Sequence, residues 1–254
     1  MAETAPKVTL HWLDRSRSQR LLWLLEELNI PYEIKRYKRQ ENMLAPPELK
    51  EVHALGHAPL ITIGDRTIAE SAVIAEYLLD HFGGTRHGLV PSRWRDGCEG
   101  KFDGETEAWS RYRYFMHYTE GSLVAMMTMA LIPMAMKKAP APFFVRPIIS
   151  RIAAQINAML VTPNFRTHLE FLETQIASAP EGGPYLCGAQ LTGADIMMSF
   201  PLLVARQPID GPIGPLNKET YPKLYAYTEL LESGASYKRA VDKIIELEGE
   251  YVIF

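Results

Sequence analysis

Five apolar residues in succession, Leu21, Leu22, Trp23, Leu24 and Leu25, lie inside a segment that otherwise reads as helix. An amphipathic helix hides one stripe, whereas consecutive apolar positions point all round, so this helix needs neighbours on most of its sides. A second layer must lie over it. Its flanks supply the first layer: the pattern runs VTLHW, then polar LDRSRSQR, then LLWLLEELN, then PYEIKRY, which reads as strand, turn, helix, strand. Asp14, Ser16 and Ser18 are helix-entry residue types, and Asn29 followed by Pro31 supplies the stop.

The polar stretch 38–53 follows, with Pro47 placed to open a short helix. HAPLITIGDRTIAES then reads as two short strands about a Gly64-Asp65 turn, and a helix runs from Ser71 to Gly83. The order βαβ then ββα suits a four-stranded mixed sheet with helices packed on it, the thioredoxin-like arrangement, which we assign to residues 1–83. Residues 84–97 are rich in Gly and charge and have little periodicity, so the linker falls there. Residues 98–254 predict only helices, over 105–131, 142–160, 164–179, 192–206, 221–232 and 236–248. The expected fold is thus α/β plus all-α, with a helical bundle as the second domain. Thr192 and Asp195 form a capping-box pattern before an apolar run and are expected to be structural.

Composition removes several classes of function. With 27 Lys and Arg against 30 Asp and Glu, the net charge of -3 provides no broad basic field for nucleic acid or anionic lipid. Cys98 and Cys187 are far apart and form no CxxC pair, which argues against a disulfide scaffold or a zinc cluster and fits a reducing, cytoplasmic setting. The first residues contain no continuous apolar stretch of signal type, and the longest nearly apolar run, 122–136, is shorter than a membrane span and carries Pro133. A buried helix is expected there, and a small molecule is the favoured partner.

Three local features carry chemistry. Ala58-Pro59 directly precedes the strand LITI; a proline is expected at a strand's first position, and a cis bond would turn the preceding main chain outward toward an extended peptide. Glu70-Ser71 opens a helix, where free N–H groups and the dipole attract a carboxylate. Glu70 there can pair with an α-amino group, so the two residues suit the amino-acid end of a γ-glutamyl peptide; helix capping alone is the simpler alternative. Ser16 lies between the first strand and the LLWLLEEL helix, where a hydroxyl can cap the helix or donate to a thiolate. Lowering a thiol pKa by about two units needs roughly 2.7 kcal/mol, and a charge-assisted hydrogen bond supplies about 1.5 to 3 kcal/mol.

Together with YKR from Tyr37, APPELK from Ala45, AES from Ala69 and LTGADI from Leu191, the segment HWLDRSRSQRLLWLLEELNIPYE resembles the cytosolic glutathione transferases, particularly a theta-like group of fungi and bacteria. The resemblance covers essentially the whole chain. It implies that Ala58 bonds the cysteinyl backbone of glutathione, that Pro59 is cis, that Glu70 and Ser71 hold the γ-glutamyl end, and that Ser16 stabilises the thiolate. His11 falls near the tyrosine position of other classes, so a tyrosine mechanism is not expected. Arg39, Asn42 and His57 are the candidates for the glycyl carboxylate.

The electrophile should lie against the long helix that follows the linker, where Tyr112, Phe115, Thr119 and Ser122 recur at helical spacing; an aromatic stripe of this kind also suits a core. The methionines between Met126 and Met136 suggest deformable apolar surface or core filling. Residues 132–163 are longer than compact members of the family carry. The implied activity is attack of glutathione thiolate on small hydrophobic electrophiles, as conjugation or peroxide reduction, in a homodimer. Glutathione is a cosubstrate, and no metal, nucleotide, nucleic acid or membrane span is called for. The rival is a non-catalytic ligand carrier or regulatory protein that kept the scaffold.

Overall fold

The computed structural model describes residues 7–207 and 216–253. Its first part runs β1 (Val8–Leu13), α1 (Ser18–Glu27), β2 (Tyr32–Tyr37), the single-turn α2 (Leu49–Val52), β3 (Leu60–Ile63), β4 (Arg66–Ala69) and α3 (Ser71–His81). The strands form one sheet in the order β2-β1-β3-β4. β1 and β2 are parallel, because α1 carries the chain back between them, while β3 is antiparallel to both β1 and β4. At the β3–β4 hairpin Gly64 adopts φ 57, a left-handed value that costs glycine little.

Beyond an irregular stretch pinned by a Trp94–Glu105 bridge, the chain is helical. α4 (Glu107–Tyr118), a π-helical turn (Thr119–Val124) and α5 (Ala125–Lys138) join end to end. α6 (Arg146–Ile156), a second π turn (Asn157–Val161), α7 (Thr162–Ala177), α8 (Gly193–Arg206), α9 (Pro222–Ser233) and α10 (Ala235–Glu248) follow. This is a thioredoxin-like domain followed by a helical one. The run Glu107–Lys138 is long and apolar enough to cross a membrane by composition alone. Its first half packs on α8 through buried Tyr112, Phe115 and Met116, which makes it a core helix. Pro133 lies within α5 without ending it.

The layer demanded by Leu21 to Leu25 is present. Ser18 through Leu25 are all buried, with β1, α3, α8 and α10 packed around α1. Each leucine buried this way contributes about 1.5–3 kcal/mol. Polar atoms fix the fit: Trp23 Nε1 donates to Ser236 Oγ at 2.9 Å, and Trp12 Nε1 to Glu248 Oε1 at 2.9 Å. α8 is the central strut of the second domain, buried from Gly193 to Ala205. It starts on the expected cap, Thr192 N–H donating to Asp195 Oδ2 at 2.8 Å.

Candidate active site

The turn from β1 into α1 brings residues of both domains together. Arg15 takes φ 47, which folds the chain sharply between Leu13 and Ser16. Ser16 is nearly buried; its hydroxyl donates to the Leu13 carbonyl at 2.6 Å, lies 2.8 Å from the Ser18 hydroxyl and accepts the Ser18 N–H at 3.2 Å. It therefore braces the entry to α1 as well as lining a cavity of about 260 Å³. The opposite wall of that cavity is apolar: Val124, Met127, Thr128 and Leu131, then Phe200 and Val204 of α8. The first four fall at i, i+3, i+4 and i+7, one helical face, and the α8 pair at i, i+4.

A narrower cleft adjoins this cavity, and Arg17 and Ala58 line both. The cleft holds His53, His57, Pro59, Glu70 and Ser71, and the Ala58-Pro59 bond is cis. Glu70 adopts φ 70, ψ 119, a conformation unfavourable for a residue with a side chain, and caps α3 with no side-chain bond. Ordinary capping thus does not account for this glutamate. Glu70 and Ser71 line the cleft where α3 begins.

Seen against the sequence expectations, Ser16, Arg39 and Ala58 line the larger cavity, while His57, Ala58, Pro59, Glu70 and Ser71 line the cleft. Arg39 is tied down: its guanidinium donates to the carbonyls of Asp14, Met43 and Arg15 at 3.1, 2.9 and 3.2 Å. Asn42 lies on the exposed loop, its Oδ1 accepting the Leu44 N–H at 3.0 Å, and lines neither space. His11 is on the sheet, with Nδ1 3.0 Å from Tyr37 Oη and Nε2 3.3 Å from Thr62 Oγ1.

The expected electrophile face does not line this cavity. Tyr112, Phe115 and Thr119 are buried in the core and half-buried Ser122 does not line the cavity, so none of the four forms its wall. The stripe of α4 is consumed against α8; the cavity-facing positions start at Val124, the last residue of the π turn, and continue into α5. Arg17, His53 and the Val124-to-Leu131 face are the residues that sequence reasoning missed. The helical spacing of that face was readable, but it competed with a stronger aromatic stripe.

The glutathione S-transferase N-terminal domain family matches residues 15–81, and the C-terminal domain family matches 125–233. Glutathione S-transferase 1 of Saccharomyces cerevisiae is 33% identical, the match covering 94% of this chain and 95% of that protein. The chain belongs to the glutathione S-transferase family. Glutathione S-transferase 3 of Schizosaccharomyces pombe is 27% identical over 93% of this chain and 88% of its own. Among solved structures, a glutathione S-transferase from Actinobacillus pleuropneumoniae is 32% identical with a TM-score of 0.65, covering 93% of this chain and 92% of its own. A transferase homologue from Sulfitobacter matches at TM-score 0.67 and 18% identity, covering 93% and 98%.

In this glutathione S-transferase the N-terminal match contains Ser16 and the whole of the cleft, and the C-terminal match contains Met127, Leu131, Phe200 and Val204. The transferase's cysteines lie elsewhere. Cys187 is packed under α8, and burial, reinforced by Asp195, pushes its thiol up to about 12, so it stays protonated and inert.

Proposed function

We propose that the transferase is of the serine type, with glutathione lying across the cleft and its sulfur beside Ser16, facing the apolar wall. The observation that carries this reading is continuity. The cleft with Glu70 and Ser71 opens through Arg17 and Ala58 into the cavity that holds both Ser16 and the Val124–Val204 wall. Glu70 pairs with the α-amino group of the γ-glutamyl end, Ser71 and the first N–H groups of α3 take its carboxylate, and the Ala58 main chain meets the cysteinyl unit. The Sulfitobacter homologue, crystallised with bound glutathione, supports such an arrangement on the shared fold. His57, in the same cleft, is the favoured donor to the glycyl carboxylate.

The Ser16 proton now directed at Leu13 swings to the sulfur. That exchange gives up a neutral hydrogen bond of about 0.5–1.5 kcal/mol for a charge-assisted one of about 1.5–3 kcal/mol, and the N-terminus of α1 adds about 0.3–1 kcal/mol. The thiolate then attacks an electrophile held on Met127, Leu131 and Phe200, forming a C–S bond as a leaving group departs or a polarised double bond takes up a proton. With a hydroperoxide it attacks the terminal oxygen, and the O–O bond breaks to release the alcohol. A second glutathione then converts the resulting sulfenic acid to glutathione disulfide and water. Glutathione is consumed as cosubstrate in either case. The free thiols of Cys98 and Cys187 support a reducing, cytoplasmic setting, and the family resemblance supports a homodimer.

Ser16→Ala is expected to raise the pH at which the bound thiol ionises by about one unit and to slow conjugation at neutral pH about tenfold to a hundredfold. Glutathione affinity should stay within about twofold, because the peptide anchors remain. An unchanged ultraviolet thiolate titration in Ser16→Ala would remove the serine assignment, and no turnover of an aromatic electrophile by the wild type would return the carrier reading. Glu70→Ala should do the reverse. It is expected to weaken glutathione binding by about 2–3 kcal/mol in calorimetry, with the thiolate titration intact once the site is saturated. Equal affinity would take Glu70 out of the site.

A further inference from the structure

From Glu120 to Glu170 the sequence contains no Asp or Glu between those two residues, yet it carries Lys137, Lys138, Arg146, Arg151 and Arg166. The net charge of -3 hides this local excess. The structure folds the stretch into the α5–α6 hairpin and the start of α7, which carries Arg166; the hairpin's tip presents Phe143 and Phe144 at 82% and 66% exposure. Behind them on α6, Ile148 and Ile152 are exposed at i and i+4, on one face with Arg151 beside them. α6 packs on α5 and buries only Ala153 fully. Among the described residues, none of the five cations joins an ion pair. Alongside the same helix a broad hollow of about 860 Å³ is lined by Lys137, Asn157, Thr162 and Arg166.

We propose that this hairpin docks the transferase on the surface of an anionic lipid bilayer. Phe143, Phe144, Ile148 and Ile152 enter the boundary between headgroups and acyl chains, and the surrounding cations meet lipid phosphates. Exposed aromatic residues ringed by Lys and Arg are the composition of an interfacial anchor, which lies on a membrane without spanning it. Charge complementarity selects the bilayer over a second copy of this chain. Two such faces brought together would set their cations against one another with no carboxylate between them, whereas an anionic surface attracts every one. Docking there would place the electrophile cavity, whose wall is the same α5, beside a phase that concentrates hydrophobic compounds.

The test is co-sedimentation of the full chain with vesicles of phosphatidylcholine alone or with about 30% phosphatidylserine. Binding is expected to be at least about tenfold stronger to the anionic vesicles and to fall as salt rises. Phe143→Ser with Phe144→Ser should weaken it at least about tenfold, and Lys137→Gln with Lys138→Gln by about tenfold to thirtyfold. Both double variants should retain the wild-type melting curve and turnover in solution, since none of these residues lines the active site. Equal sedimentation with the two vesicle types, or none, would overturn the proposal. So would a Phe variant that binds like wild type, or one that loses oligomeric mass in light scattering while keeping vesicle binding, since the face would then join two copies.

Discussion

Asp195→Ala is expected to lose about 4–6 kcal/mol of folding stability, the largest effect of any single substitution considered, against a total of about 5–15 kcal/mol for a typical domain. Asp195 is completely buried and its two oxygens accept four bonds: from Leu186 N–H at 2.9 Å, Thr192 N–H at 2.8 Å, the Thr192 hydroxyl at 2.6 Å and the Tyr227 hydroxyl at 2.7 Å. Those donors come from the loop before α8, its cap and α9, so one carboxylate closes three segments onto the central helix. Alanine strands all four in a site water does not reach, at about 1–3 kcal/mol each before relaxation, and removes the cap, worth about 0.5–2 kcal/mol. The effects overlap, and the carboxylate's own desolvation offsets part of them, which brings the total down to the figure given. Asp195→Asn keeps the shape and one acceptor and should fall between. Urea unfolding followed by far-ultraviolet dichroism measures the shift; a loss below about 1 kcal/mol would show that the surrounding donors find other partners.

Glu120→Gln is expected to cost about 2–4 kcal/mol, and adding Arg20→Met should restore most of it. Arg20 lies on α1 with its side chain wholly buried, ion-paired to Glu120, donating to the Met197 carbonyl at 3.0 Å and stacked 5.8 Å from the Phe200 ring centre. Burial pulls its pKa down to about 10 despite the opposing charge of Glu120. The other carboxylate oxygen of Glu120 holds Arg17 at 2.6 Å. A buried charge that loses its partner is costly, about 3–5 kcal/mol, but Glu120 retains some contact with solvent, which places the effect at the lower end. A methionine of similar length needs no counter-ion, which is why the double variant should recover. The pair also joins α1, whose entry turn carries Ser16, to the π turn, whose last residue, Val124, begins the apolar wall. Glu120→Gln should therefore also raise KM for the electrophile. A double variant as unstable as Glu120→Gln alone would mean that Glu120 acts through some contact other than Arg20.

Much of this architecture is local and was legible in the sequence. Alternating and helical periods gave the βαβ-ββα order and the helices behind it, because those periods follow from backbone geometry. The run from Leu21 to Leu25 demanded a covered helix, and the structure covers it on all sides. Ser16, Pro59 and Glu70-Ser71 each occupy an element boundary, so their positions along the chain already placed them at the ends of strands and the starts of helices, where the cavity and cleft form.

Tertiary packing decided the rest. The rod from Glu107 to Lys138 is apolar on more than one face, so its sequence does not specify which face meets α8 and which meets the cavity. That azimuth is set by α1, α8 and the π turn, and it put Tyr112, Phe115 and Thr119 in the core and Val124, Met127 and Leu131 on the wall. Arg20 and Glu120 are a hundred positions apart in the chain, and no periodicity announces a pair that only the domain contact brings together. The cations of the α5–α6 hairpin, without ion pairs among the described residues, have the same origin. Net charge is a property of the sequence, but a field belongs to the folded surface, because its strength depends on which charges end up near one another and which are left without a counter-charge.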